Sequence, residues 1–343
     1  MENNPTESPM RPAMTRRLLR RTIANGQLTL PAVPGMADQY VKMCDDLFIT
    51  LGVHFSAEEL AHLRGVLETQ LNDAYAASPR SDVVITYEIP TGLTANYRVA
   101  TRWFTVGQAY DNWVATREPP LFGIEPDARV MAVAAEAGNA SDAPVLDVGA
   151  GTGRNSLALA RRGHPVDTVE MTSKFAEIIT AEAKKEGLNV RVIRRDVFDK
   201  LDDLRTDYRL ILLSEVVSDF RNTDQLRQLF ELAAHCLAPG GELLFNIFLP
   251  RDEYIPDDAA RQLGQQCYTT IFTRDELSAA GSGLPLDLVA DDSVYEYEKA
   301  HLPAESWPPT SWYANWVNGQ DVFDVPMETS PIEMRWLVYR KAG

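Results

Sequence analysis

Val145-Leu146-Asp147-Val148-Gly149-Ala150-Gly151-Thr152-Gly153-Arg154-Asn155 decides the fold. It reads as a buried strand that stops in a glycine-rich turn and opens into a helix. Asp147 stands near the end of the strand. Glu170 closes the next apolar run, 23 residues further on. Glycines let the backbone turn sharply and let a ligand approach the main chain. Free N–H groups and the helix dipole beyond such a turn favour an anion.

Outward from this stretch, strands and helices alternate. Segments 145–148, 166–169, 190–193, 210–213 and 242–248 read as strands, and 155–162, 173–186 and 224–237 as helices. Gly163, Gly187 and the Pro239-Gly240-Gly241 turn end those helices. This alternation predicts a parallel sheet covered by helices on both faces, with ligands beyond the carboxyl ends of its strands.

Two cofactor classes compete for the loop. A dinucleotide site requires G-x-G-x-x-G, and Arg154 occupies the last of those positions, where a large side chain obstructs close packing. The observed spacing is Asp147-x-Gly149-x-Gly151-x-Gly153. It suits a nucleoside whose charged end is an amino acid, as in S-adenosylmethionine. The loop and dipole then meet the methionine carboxylate, and Asp147 accepts from the ammonium. Glu170 takes both ribose hydroxyls, and Asp196, after the third strand, accepts from the adenine amino group. Val197, Phe198 and Met171 are placed to pack on the adenine ring.

These residues resemble the class I S-adenosylmethionine-dependent methyltransferases of small-molecule type, over about residues 127–250 with a continuation near 334–340. Asp147 to Gly153 looks like motif I of that family, Glu170 like the acid of motif II, 210–215 like motif IV, and 237–241 like the turn before strand five. The resemblance implies a Rossmann-like α/β fold, a seven-stranded sheet with its last strand antiparallel, and S-adenosylmethionine as cofactor, converted to S-adenosylhomocysteine. It also implies methyl transfer by in-line displacement, which requires no metal. Ser214-Glu215-Val216-Val217 departs from the Asn/Asp/Ser-Pro-Pro-aromatic motif of enzymes that methylate base amines or glutamine.

Composition limits the partners. The 343 residues carry a formal net charge of −16, which disfavours nucleic acid as a partner. No apolar run approaches the ~18 residues of a membrane span. Cys44, Cys236 and Cys267 lie far apart without a CxxC spacing, so a reduced, cytoplasmic compartment fits, with neither disulfides nor a metal site. Arg16, Arg17, Arg20 and Arg21 lack a following apolar segment, so they read as the solvated face of a helix rather than an export signal.

Residues 1–12 read as a frayed tail. Helices are expected over 36–77, where Ser56 and Glu59 form a capping box and Leu60, Leu63, Leu67 and Leu71 repeat at helical spacing. Segments 83–89 and 93–99 read as a hairpin around Pro90-Thr91-Gly92. Residues 104–122 read as irregular and aromatic, closed by Pro119-Pro120. Pro126 and Asp127 start a helix. Later, Thr273 and Glu276 form a second capping box, 294–298 reads as a strand, and 334–339 as the last strand. The expected division is 1–80, a mainly helical extension suited to capping the acceptor pocket or forming a homodimer; 81–125, a hairpin and covering segment; and 126–343, the cofactor-binding domain with a lid-like, aromatic-rich insertion over 299–330.

Acceptor-side candidates are Glu215, Tyr110 with Asp111, His301 and Asn246. Glu215 follows strand four on the ligand edge, where it touches the acceptor or the cofactor's methionine part. His164 and His235 read as structural. Trp307, Trp312, Tyr313, Trp316 and Phe323 form either a satellite core or a lid over a cationic or apolar substrate. The expected activity is methylation of a small-molecule metabolite. The alternatives are a protein or carrier-bound acceptor, or a non-catalytic cofactor-binding module.

Overall fold

The computed structural model describes residues 10–90, 94–118, 120–199 and 203–343. Thr91 and Gly92 of the expected turn, most of the expected N-terminal tail, and Pro119 lie outside them. The chain divides into two compact units, 1–106 and 107–343.

In the first unit, α1 (Met10–Leu19) is followed by β1 (Ala24–Pro31), α2 (Ala37–Thr50), α3 (Ala57–Ala77), β2 (Asp82–Ile89) and β3 (Asn96–Arg102). The capping box at Ser56 forms as expected: Glu59 N–H donates to Ser56 Oγ at 3.2 Å and Ser56 N–H to Glu59 Oε2 at 2.7 Å. Leu63, Leu67 and Leu71 of α3 are fully buried with Cys44 and Phe48 of α2, against Val83, Ile85 and Ile89 of β2. β2 and β3 pair antiparallel, as the hairpin reading requires. β1 is an addition to that reading and pairs antiparallel with the other side of β2. Asn25 and Gly26 obscured it, yet its exposure alternates as a strand's must. Gly26 lies opposite Tyr87, and a Cβ there would meet the tyrosine hydroxyl at 2.4 Å. The hairpin thus belongs to the first unit, while 107–125 belong to the second.

The second unit begins in α4 (Val106–Thr116), a helix where an irregular segment was expected. Val106, Tyr110 and Val114 supply the four-residue spacing that the flanking aromatics and prolines masked. α5 (Ala128–Glu136), β4 (Val145–Val148), α6 (Arg154–Arg161), β5 (Val166–Val169), α7 (Ser173–Glu186), β6 (Val190–Ile193), β7 (Tyr208–Leu213), α8 (Thr223–Cys236) and β8 (Leu237–Pro250) follow in the expected alternation. The chain continues through α9 (Asp258–Gln266), α10 (Arg274–Gly281), β9 (Leu286–Ser293), α11 (Val294–His301), α12 (Tyr313–Trp316) and β10 (Ile332–Lys341).

The seven strands run in the order β6-β5-β4-β7-β8-β10-β9. β4 to β8 are mutually parallel, and β10 is antiparallel to both neighbours. Both faces are buried, which explains the apolar run 210–213 within β7. Leu146, Val148, Ile211, Leu213, Phe245 and Ile247 pack with α8 and α10 on one face. Val145, Leu210, Leu212, Leu244 and Phe248 pack with α5 and α6 on the other.

One strand expected at 294–298 is instead α11. The sequence Val294-Tyr295-Glu296-Tyr297-Glu298 alternates as a strand does, but Ser293 caps it by accepting from Glu296 N–H at 3.4 Å. Val294 and Glu298, four residues apart, then share the buried face. The edge strand is β9, whose Asp287, Asp291 and Asp292 discourage pairing with a further strand. Among the described residues, no helix is long and apolar enough to cross a membrane.

Candidate functional site

The parallel strands end side by side, and each tip carries a polar group. Beyond β4 the chain turns through Gly149, Gly151 and Gly153, all at positive φ (68°, 55° and 86°). Gly149 cannot be replaced without displacement, because a Cβ would lie 2.4 Å from Val216 Cγ2. The loop after β4 therefore sits directly against the loop after β7. At Gly151 a Cβ would meet the Phe122 ring at 3.3 Å, so Phe122 roofs the turn.

The loop's own N–H groups are largely engaged. Gly149 donates to Val169 O at 2.7 Å, Gly153 to Ala150 O at 2.9 Å, and Gly151 to Glu170 Oε2 at 2.8 Å. An anion at this turn must therefore be met by other groups. Glu170 also accepts from Thr172 N–H at 2.7 Å and so ties the glycine loop to the start of α7. Its burial raises its pKa, while these N–H donors oppose the rise. Asp147 is buried, accepts from Ser156 Oγ, and is pushed up to about 7 by desolvation.

Asp196 follows β6 as expected, but its Oδ1 accepts from Phe198 N–H at 3.0 Å in a local turn. Val197 and Phe198 pack on the core below α8, and Phe198 meets Phe220 edge-on at 5.1 Å. Met171 is 46% exposed. None of these four is tied to the glycine loop by a hydrogen bond among those described.

An ionic cluster lies behind the loop. Arg154, the first residue of α6, turns its guanidinium inward. Both its terminal nitrogens bind Asp127, and Nη2 also donates to Glu215 Oε1 at 2.9 Å. Asp127 further accepts from Asn155 Nδ2 at 2.8 Å and from Ser214 Oγ at 2.6 Å. Glu298 reaches in from α11, accepting from Ala128 and Arg129 N–H at 2.7 and 3.1 Å and from Trp336 Nε1 at 3.0 Å. It thereby satisfies the first turn of α5 from outside that helix.

Burial pushes Glu215 and Glu298 up to about 7; Asp127 adds to the rise, and Arg154 opposes it. One guanidinium faces more carboxylates than it can neutralise. The folded unit thus binds more protons than the unfolded chain between about pH 4, where free carboxyls ionise, and about pH 7. These groups should make stability fall as pH rises across that window. Denaturant midpoints at pH 5 and pH 7.5 without cofactor measure it, and a midpoint that rises with pH contradicts it.

Glu215 adopts φ 62°, a left-handed conformation costly for a non-glycine residue. It is held there by its N–H donating to Asn246 Oδ1 at 2.7 Å and by Ser218 Oγ donating to its carbonyl at 3.1 Å. Among the described residues, Asn246 Nδ2 and Tyr313 Oη, both buried, have no hydrogen-bond partner. Backbone strain and unpaired buried polar groups concentrate where function requires them.

Glu215 opens onto a cavity of about 170 Å³, lined by Tyr110, Phe122, Tyr268, Trp312, Trp316 and Asp321 among others. Tyr110 is fixed by donating to Asp219 Oδ2 at 2.6 Å. Asp111 instead makes an exposed 3.9 Å ion pair with Lys174. His301 does not line the cavity; exposed at the end of α11, it donates from Nδ1 to Tyr297 O at 2.7 Å and stacks on that ring. His164 is buried and bonded to Ala143 O at 2.9 Å.

The aromatic insertion is partly core and partly cavity lining. Tyr313 and Trp316 complete the sheet's second core with Phe248 and Trp336, while Trp312 and Trp316 wall the cavity. The sequence reading named neither Asp127 nor Arg154 as a site residue. The available signal was Arg154 at the mouth of the loop: a buried arginine needs acids, and Asp127 and Glu215 were at hand.

Residues 145–241 match the model of a family described as a methyltransferase domain. A ubiquinone biosynthesis O-methyltransferase of Erwinia tasmaniensis is 26% identical over 148 residues, 43% of this chain and 56% of that protein. The chain thus spans little more than half the length of that curated relative. Among solved structures, a putative sarcosine dimethylglycine methyltransferase from Galdieria sulphuraria superposes with a TM-score of 0.50 at 17% identity, covering 69% of this chain and 98% of that one. The 4+2 cyclase SpnF superposes with a TM-score of 0.50 at 18% identity, covering 69% and 96%.

Proposed function

We propose that this chain, whose second unit is a class I methyltransferase domain with S-adenosylmethionine as its cofactor, methylates a small molecule seated in the aromatic cavity. One observation carries the reading. Val216 lies against Gly149, and its neighbour Glu215 lines the cavity, so the glycine loop and the cavity share a wall. A cofactor cradled by the loop and an acceptor in the cavity are then adjacent, as an in-line displacement requires.

The residues fit the cofactor. A side chain at Gly149 would fill the turn, and two buried acids, Asp147 and Glu170, stand at neighbouring strand tips. The reading gives Asp147 the ammonium, Glu170 the ribose, and Asp196, Val197 and Met171 the adenine end. When bound, the group supplies a methyl already made electrophilic by its sulfonium. The chain's own tasks are orientation, exclusion of water by Phe122 and the tryptophans, and removal of a proton where the acceptor carries one. Glu215 is suited to the last, because its pKa of about 7 lets it take up and release a proton near neutrality.

The methyltransferase name of the Galdieria protein and the O-methyltransferase name of the Erwinia protein support transfer to a small molecule. The cyclase relative shows that the fold alone does not dictate the reaction, so activity must be measured. Incubating the protein with methyl-labelled cofactor and a low-mass metabolite extract should label a small product. Label found only in protein would favour the protein or carrier-bound alternative, and cofactor binding without any transfer would favour a non-catalytic module.

A further inference from the structure

We propose that the cavity beside Glu215 takes a small organic ammonium, and that its nitrogen is the atom methylated. This rests on the methyl-transfer reading above.

The argument starts from what the cavity wall offers. Tyr110, Phe122, Tyr268, Trp312 and Trp316 contribute five aromatic rings. Their polar edges are partly committed elsewhere. Tyr110 Oη donates to Asp219 at 2.6 Å, and Trp316 Nε1 donates to Tyr268 O at 3.0 Å. Ser218, also in the lining, donates to the Glu215 carbonyl at 3.1 Å. Three lining donors, Tyr110 Oη, Trp316 Nε1 and Ser218 Oγ, are thus turned to internal partners. The rest of the lining is mainly aromatic rings and the carboxylates of Glu215 and Asp321, of which Glu215 Oε1 is shared with Arg154. Aromatic faces attract cations, most strongly where water is excluded.

Charge points the same way. Among the described lining residues, Arg117 alone is cationic, and it is exposed, so solvent screens it. Glu215 is largely buried, its side chain 11% exposed, and belongs to a cluster in which acids outnumber the single guanidinium of Arg154. An anionic acceptor would enter against these carboxylates, whereas an ammonium is drawn by them. Two lining residues, Glu215 and Tyr268, hold φ values of 62° and 58°. Such conformations persist where packing and function impose them. A volume of about 170 Å³ is on the scale of a small amine.

The step balances as follows. The ammonium gives one proton to the Glu215 carboxylate, which frees the nitrogen lone pair. That pair forms the new N–C bond to the methyl carbon as the C–S bond breaks, and the electrons of the broken bond stay on sulfur. The product nitrogen carries the positive charge, the sulfonium becomes a neutral thioether, and the proton passes from Glu215 to solvent.

The test uses choline and its uncharged isostere 3,3-dimethyl-1-butanol as probes, with 3,3-dimethylbutyrate as the anion. Binding is read by tryptophan fluorescence and ligand-observed NMR on the full chain, with and without S-adenosylhomocysteine. Choline should bind about tenfold or more tightly than the alcohol, a ratio within the range of a desolvated cation–π contact. Trp312→Ala and Glu215→Gln should each weaken choline by a similar factor. Equal binding of the alcohol, tighter binding of the anion, or no binding of choline would overturn the proposal. If a variant fails to fold by circular dichroism, the ratio on the unaltered protein decides. S-adenosylhomocysteine is titrated on the same samples. Its failure to bind sinks the methyl-transfer reading, whereas indifference to the cation with S-adenosylhomocysteine bound sinks this inference alone.

Discussion

Gly149→Val should abolish cofactor binding. The substitution puts a β-branched residue at φ 68°, a conformation that costs L-residues roughly 1–2 kcal/mol. It also drives a Cβ to 2.4 Å from Val216, with two further methyl carbons to accommodate. Overpacking of that kind costs about 1–3 kcal/mol, and relief requires the loops after β4 and β7 to separate. Separation dismantles the shared wall of cradle and cavity at once. Equilibrium dialysis with labelled S-adenosylmethionine should show affinity reduced at least about a hundredfold, on the scale of those combined costs. Far-UV circular dichroism should stay close to that of the parent. Affinity within about threefold of the parent would mean that the turn does not cradle the cofactor.

Asp127→Ala should be the most destabilising single change in the second unit. Asp127 is 1% exposed and accepts from Arg154, Asn155 and Ser214 together. Its removal strands most of the charge of a buried guanidinium, since Glu215 offers Arg154 only one bond. Breaking a buried pair from one side costs about 3–5 kcal/mol. Asp127→Asn keeps the shape and part of the hydrogen bonding and should cost less. Urea denaturation followed by tryptophan fluorescence measures both, and a loss below about 1 kcal/mol for the alanine variant would show that the cluster does not hold the unit together.

Much of this was legible from residues alone. The glycine turn, the strands that end near Asp147 and Glu170, and the apolar run 210–213 are local signals, and the structure has the turn and the strands there. Elements defined by distant partners were harder to see. β1 carries Asn25 and Gly26, and only the Tyr87 ring across the sheet explains why a glycine stands there. α11 alternates like a strand until its Ser293 cap and the pull of Glu298 toward the amides of α5 are known.

The site divided in the same way. Asp147 and Glu170 could be named because their positions follow from strand ends. The partnership of Asp127, Arg154 and Glu215 joins three segments separated by 27 and 61 residues, and no spacing rule connects them. His301 was named for its chemistry and its nearness in sequence to the aromatic insertion. The helix of α11 directs it instead to Tyr297, on the exposed side.

Calorimetric titration of S-adenosylhomocysteine into the intact protein and into Glu170→Ala tests the central claim most directly. Glu170 is the acid assigned to the ribose and the residue that pins Gly151. The parent should bind one equivalent, and the variant should lose about 1–3 kcal/mol, the scale of charge-assisted hydrogen bonds. No saturable heat with the parent, or equal affinity in the two proteins, would contradict it.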